Sequence, residues 1–296
     1  VFPKGTTFYD RSGEGATPER YSSVVERLRK ELRTRRYAYL TERSYVQWVE
    51  RFLSYRGGNE KSELRPEAVK EFLGYLAVER KVAAGTQNLA LNALAFFFGK
   101  VLRVPLGELG RFSRSKKPKR LPVVLSRDEV TRVLRELRGT CSLLAALLYG
   151  SGLRLMESVR LRVKDLDFDR SQILVRDGKG RKDRITVLPE KLRPLLNNHL
   201  KTVKAMHEED LRRGFGEAPF WPALARKYPH APKEWMWQYV FPAGRLSVDP
   251  RSGAVLRHHF NQNALQKAVK TAAGKARVAK PVTCHTLRHT FATHLL

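Results

Sequence analysis

Lysine and arginine total 57 against 29 aspartates and glutamates, a formal net charge of +28. Charge of one sign at this density repels itself and opposes compaction unless a polyanion neutralises it. Any fold open to this chain must present its cations on a surface that a nucleic acid can cover. A hydrophobic fraction of 42% over 296 residues still allows a real core. The length suits about two domains. Charge alone does not separate an enzyme from a basic binder of the ribosomal type. Cys141 and Cys284 form neither a metal-ligand spacing nor a disulfide framework, so a reduced bacterial cytoplasm fits. No apolar run reaches a membrane span and no signal-peptide pattern opens the chain. The chain starts at Val1 and its first methionine is Met156, which suggests a clipped N-terminus or a fragment.

Periodicity divides the chain. Residues 1–17, with Pro3, Gly5, Gly13 and Gly15, read as an extended lead-in. A helical domain is expected over 18–108. Its first segment, Pro18 to Tyr39, is very basic. Tyr45, Trp48, Val49, Phe52 and Leu53 then fall at helical spacing, with Gly57-Gly58 as the stop. Val69, Phe72, Leu73, Leu76 and Ala77 repeat that pattern after Pro66, placed for a first turn. Thr86 is the expected cap of a segment holding Leu89, Leu94, Phe97 and Phe98. These apolar stripes read as core. Residues 109–122 form a basic linker, in which Lys116, Lys117, Lys119 and Arg120 are candidate phosphate contacts. The bland reading of such a run is a solvated or targeting tract. A second domain, 123–296, opens with the capping box Ser126-Arg-Asp-Glu129. Leu143, Leu144, Leu147 and Leu148 mark a helix ending near Gly150 and Gly152. Ile173, Val175, Ile185 and Val187 alternate around a turn-rich stretch, which predicts a β-hairpin. The fold class is therefore mostly α with a small β-hairpin or sheet in the second domain.

Three motifs carry candidate chemistry. In Tyr149-Gly-Ser-Gly-Leu-Arg-Leu-Met-Glu157, Arg154 opens a helix after a glycine turn, where a guanidinium can fork onto a phosphate. A plain surface pair with Glu157 is the competing reading. Lys179, at the hairpin tip, is either solvated or inserted into DNA to protonate a leaving oxygen. His285-Thr-Leu-Arg-His-Thr-Phe-Ala-Thr293 sets His285 and Arg288 on one helical face. A zinc site at His285 and His289 is disfavoured, because Thr286 stands where the zinc-protease pattern needs glutamate.

Together, in this order, the motifs resemble the tyrosine recombinase (phage integrase) family over about residues 20–296. The resemblance implies a helical core-binding (SAM-like) domain and an α+β catalytic domain that clamp DNA. It implies catalytic roles for Arg154, Lys179, His285 and Arg288. Two arginines suit the extra charge of a phosphodiester transition state, Lys179 the acid for a leaving 5′-hydroxyl, and His285 proton transfer with an attacking tyrosine. A covalent 3′-phosphotyrosyl link conserves bond energy, so neither metal nor nucleotide cofactor is implied.

The stretch between Lys179 and His285 further resembles the integron integrases. It carries Ala225-Arg-Lys-Tyr-Pro229, Trp235-Met-Trp237, Asp249-Pro-Arg-Ser-Gly253 and Arg257-His-His259, with an added segment at about 200–228. The resemblance implies integration and excision of gene cassettes, on a double-stranded integration site and a folded single-stranded site with extruded bases. Trp237, Pro250, His258 and His259 would then hold those bases by stacking and wedging. From residue type alone, the tryptophans read as core and the histidines as a surface pair.

One departure is plain. The family needs a second His or Trp and then its nucleophilic Tyr after the His-x-x-Arg string, whereas the last tyrosine here is Tyr239. The apolar pattern of Phe291, Leu295 and Leu296 also ends uncapped. The expectation is a fragment or a gene broken at its 3′ end, binding DNA without cleaving it, with assembly of the family's homotetramer in doubt. The competing functions are a non-catalytic DNA-binding derivative of the fold and a phage or chromosome-dimer recombinase acting on duplex sites. A type IB topoisomerase would lack the strings from Trp237 to His259.

Overall fold

A computed structural model describes residues 21–55, 64–104, 121–176, 183–250 and 252–295, apart from the side chains of Pro222 and Ala223. The chain divides into two compact units, Val1–Arg120 and Leu121–Leu296. The linker cations Lys116, Lys117, Lys119 and Arg120 lie outside the described residues.

The described part of the first unit is helical: α1 (Ser22–Thr34), α2 (Tyr39–Tyr55), α3 (Pro66–Val78) and α4 (Ala84–Phe96), the last running into a π-helical turn, Phe97–Leu102. Leu28, Leu32, Val49, Phe52, Leu73, Phe97 and Phe98 are fully enclosed, so the helical spacing of the apolar residues became a core. Pro66 occupies the first turn of α3, where its missing N–H costs nothing. Two buried polar groups are matched. Glu42 pairs with Arg33 at 2.8 Å, and Gln87 donates to the Leu73 carbonyl at 3.1 Å.

Two expectations fail here. Thr86 is not the cap of α4. Ala83 holds that position, and the Thr86 amide already bonds to its carbonyl at 2.8 Å. Leu89 is not core either but 39% exposed, because Ala90, Ala93, Leu94 and Phe97 set the inward face of that helix.

The second unit begins with α5 (Arg127–Arg135), α6 (Gly139–Ser151) and α7 (Leu155–Val159). Both halves of the capping box form on α5. Ser126 Oγ accepts from the Glu129 amide at 3.1 Å, and the Ser126 amide donates to the Glu129 carboxylate at 2.7 Å. An antiparallel sheet follows in the order β1 (Leu166–Asp167), β2 (Gln172–Val175), β3 (Arg184–Val187). The predicted hairpin is thus two strands of three. Its apolar alternation buries Ile173 and Val175 but leaves Ile185 62% and Val187 46% exposed. The register explains this: Ile173 faces Thr186 and Val175 faces Arg184, so polar residues of β3 share the inward face.

Next come α8 (Arg193–Arg212), α9 (Pro222–Lys227), a short ribbon of β4 (Ser247–Val248) and β5 (Val255–Leu256), then α10 (Gln262–Lys275) and α11 (Cys284–His294). The region at 200–228 comprises the second half of α8, a loop and α9. The core joins α5, α6, α10 and α11 through Val133, Leu144, Leu147, Leu148, Leu265, Val269 and Leu287. The start of the unit is tied to α11, since the Leu125 amide donates to the buried Thr290 hydroxyl at 3.1 Å. No helix among the described residues is long and apolar enough to cross a membrane.

Candidate active site and aromatic segment

The glycine turn builds the first cluster. α6 ends at Gly152, whose φ of +60° lies in the left-handed region that glycine enters without penalty. A Cβ at that position would run into the Phe291 ring of α11. The close approach lets the Arg288 guanidinium donate to the Gly152 carbonyl. Two residues on, Arg154 precedes the first turn of α7. Glu157 folds back over that turn, accepting from the Arg154 amide at 2.8 Å and its guanidinium at 2.6 Å. Arg184, at the start of β3, forks onto the same carboxylate at 3.0 and 2.7 Å. Arg288 Nη1 stands 3.9 Å from it.

Burial alone would raise the Glu157 pKa. Hydrogen bonds from Arg184 and from Arg154 prevail and hold it at about 2. Three guanidiniums therefore surround one permanent carboxylate, leaving surplus positive charge where a phosphate can bind. Arg288 is shifted down by burial and by Arg154, in keeping with that crowding.

His285 sits in the first turn of α11, which Thr283 caps by accepting from the Thr286 amide at 3.1 Å. Its ring lies edge-on to His289, with centroids 4.9 Å apart. Burial, then His289, Arg288 and Arg154, lower its pKa, so the imidazole is neutral at pH 7 and able to accept a proton. Among the described residues no group of three His, Cys, Asp or Glu side chains could hold a metal ion. Lys179 lies outside the described residues. The Tyr149 hydroxyl is bonded to His294 Nδ1 at 2.9 Å.

The second cluster runs along residues 219–259 and is aromatic. Phe220 meets Trp237 edge-on at 4.8 Å between centroids, and the Lys164 ammonium lies over the Trp237 ring at 3.0 Å. Tyr239 touches both His258, stacked at 6.5 Å, and His259, edge-on at 5.6 Å. The structure therefore brings His258 and His259 together around Tyr239, while Trp237, two residues earlier in the chain, packs on Phe220 and Lys164. Pro250 is exposed in the β4–β5 connection, directly after Asp249, whose carboxylate stands 4.0 Å from His258 Nε2. The histidines are not a bare surface pair. Burial lowers the pKa of each, and the His259 Nδ1 bonds to the Phe260 carbonyl at 2.9 Å. A cleft of about 320 Å³ is lined by Arg160, Lys164 and Arg176 together with Trp221 and Tyr239.

Buried polar anchors hold this segment. Arg257 forks onto Asp210 of α8, one bond at 2.7 Å, and donates to the Ala243 carbonyl at 2.8 Å. The Gln238 amide reaches the carbonyls of Gly216, Pro232 and Glu234 at 3.2, 2.9 and 3.2 Å. Sequence reasoning missed Arg184, Lys164, Arg257 and Asp210. Arg184 carried one usable signal, its place directly after the hairpin turn. The Asp210–Arg257 pair spans 47 residues and leaves no local pattern.

Comparison with known proteins fits this layout. Residues 24–108 match the phage integrase N-terminal SAM-like domain, and residues 113–296 match the phage integrase family. An "Integrase/recombinase" of Escherichia coli is 46% identical over 279 residues, covering 94% of this chain and 83% of the relative. The chain belongs to the phage integrase family of tyrosine recombinases. A "Tyrosine recombinase XerA" of Thermococcus kodakarensis shares 31% identity with this recombinase over 264 residues, 86% of this chain and 75% of the relative. In fold, it is similar to the Tn1549 transposon integrase solved with transposon right end DNA, at a TM-score of 0.56. That match has 18% identity and covers 92% of this chain and 86% of the other. XerH recombinase bound to difH substrate gives a TM-score of 0.54 at 20% identity, with 92% and 74% covered. By family, then, the chain is a site-specific recombinase.

Proposed function

We propose that this recombinase binds DNA and acts in the integron manner, integrating and excising gene cassettes by transesterification through a 3′-phosphotyrosyl intermediate. Arg154 and Arg288 bind the nonbridging oxygens of the scissile phosphate and stabilise the charge that grows there. Lys179 protonates the leaving 5′-oxygen. His285, neutral at pH 7, exchanges a proton with the attacking tyrosine. The bond to tyrosine forms as the bond to the 5′-oxygen breaks, and the reverse step restores the DNA, so no cofactor enters. Tyr149 and Tyr239 are engaged elsewhere, at His294 and beside the two histidines. Residues 1–296 contain no tyrosine after His285, so on this reading they bind DNA without forming a covalent adduct.

The observation that carries the integron reading is the aromatic group of Tyr239, His258 and His259, with Trp237 two residues before Tyr239 and packed on Phe220 and Lys164, and a cleft of about 320 Å³ beside Tyr239. Flat rings beside cations suit unstacked bases and a phosphate backbone. Pro250 wedges against the same strand. The linker cations add salt-sensitive phosphate contacts. The active assembly on DNA is a homotetramer pairing a double-stranded integration site with a folded single-stranded cassette site.

A gel-shift titration tests the reading. A folded single strand with extruded bases should bind at least tenfold more tightly than the fully paired duplex of the same stem, about one stacked base. Equal affinity would favour the duplex-acting recombinase. In an extended protein that cleaves, Arg154→Ala should abolish cleavage and spare most binding; retained cleavage overturns its role.

A further inference from the structure

The Arg162 guanidinium is the unusual group of the second unit. Arg162 is 7% exposed, yet its side chain is not held by a carboxylate at hydrogen-bond distance among the described residues. Asp165 accepts instead from the Arg162 amide at 3.1 Å and from Arg176 Nε at 2.8 Å. The guanidinium lies 5.3 Å from the centre of the Trp221 ring and 4.8 Å from that of Tyr239. One amino group donates to the Trp237 carbonyl, the other to the Pro219 carbonyl at 2.7 Å.

These contacts have a common geometry. Residues 219–221 and 237–239 form the two arms of the aromatic segment, and one planar cation touches both. The backbone around Arg162 is itself bonded to the second arm, in an isolated antiparallel bridge with Tyr239. Val163 donates to Gln238 at 3.0 Å, and Val240 donates to Leu161 at 2.8 Å. Arg162 also stands eight residues after Arg154 and three after the end of α7. Burying an arginine without a carboxylate is costly, and the cost falls only through its ring faces and carbonyl acceptors. A buried leucine could fill the volume but would hold neither arm. Lysine could reach one carbonyl but cannot lie flat between two rings.

We infer that Arg162 is a positioning residue that sets the spacing between the two aromatic arms, and so determines selectivity for DNA with an extruded base. The inference rests on the proposed reading of Trp237 as a base contact. It assigns Arg162 no contact with DNA, and the catalytic groups do not depend on it.

The test compares two hairpin oligonucleotides that differ only in one extruded 2-aminopurine, present or deleted. Their affinity ratio is measured with residues 1–296 as wild type, Arg162→Lys, Arg162→Met and Trp237→Ala. The 2-aminopurine fluorescence, quenched on stacking, gives a second readout. The expected result is a graded fall in the ratio, partial for Arg162→Lys and on the order of tenfold for Arg162→Met, with affinity for the deleted hairpin unchanged. If Arg162→Met does not fold, the Arg162→Lys ratio and its fluorescence decide. A parallel loss of both affinities would mean a merely structural role and overturn the inference. So would an unchanged ratio in the Arg162 variants when Trp237→Ala lowers it, a result that leaves the functional reading intact. An unchanged ratio in Trp237→Ala removes that reading and this inference with it.

Discussion

Around Glu157, three guanidiniums share one carboxylate. Around Arg162, two rings and two carbonyls share one guanidinium. Both arrangements lie in the same unit and both rest on arginine. The first leaves positive charge unmatched and exposed to an incoming phosphate. The second places its charge inside the protein, facing π-electrons and dipoles, with little left for a ligand. The same side chain thus serves electrostatics in one place and shape in the other.

That contrast can be broken most sharply at the pair Asp210–Arg257. Asp210 is 3% and Arg257 12% exposed, so Asp210→Ala strands a buried cation beside His258. It should cost about 3–5 kcal/mol in urea unfolding. A loss below about 1 kcal/mol would show that the aromatic segment does not hang on this pair. At the arginine cluster, Gly152→Ala forces a left-handed alanine, about 1–2 kcal/mol, and overpacks Phe291 by about 1–3 more. A melting temperature equal to wild type would contradict the turn geometry.

Glu157→Gln tests the charge plan itself. The folded pKa of about 2 lies below the ordinary 4.5, so the carboxylate stabilises the fold fully above about pH 4.5. That stabilisation, about 3 kcal/mol, fades as pH falls from 4.5 through 2. Acid titration of the wild type should show the decline, and the glutamine variant should be flatter in that window. Matching acid profiles would place the stabilising anion elsewhere. The smallest effect belongs to Lys164→Ala, which removes one cation from the Trp237 face. Its expected cost is about 0.5–1 kcal/mol, with a change in tryptophan emission. An unchanged spectrum would count against that contact.

Legibility followed distance along the chain. Helix periodicity and the capping box at Ser126 depend on near neighbours and were readable. So was the helix start at Arg154. Local patterns also misled: a threonine cap at Thr86 is plausible until Ala83 takes the position, and β3 carries its apolar residues outward because Thr186 and Arg184 face the core. The arginine cluster was readable as strings, since each string is local. What the strings could not disclose is that Glu157 serves Arg184 as well as Arg154, a relation 27 residues apart. The aromatic segment was readable only as residue types. Its anchor at Arg162 depends on the carbonyls of Trp237 and Pro219, and a carbonyl has no letter in a sequence; its anchor at Arg257 depends on Asp210, 47 residues away.

The Glu157 carboxylate carries one more consequence. A guanidinium offers five N–H donors, and Glu157 takes only some of those on Arg154 and Arg184. It works as a jig that fixes the rotamers of both arginines before any DNA arrives. Freezing a long side chain costs about 0.5–1.5 kcal/mol, and here that entropy is lost during folding rather than at the encounter. Later recognition of a phosphate then starts from donors already aimed.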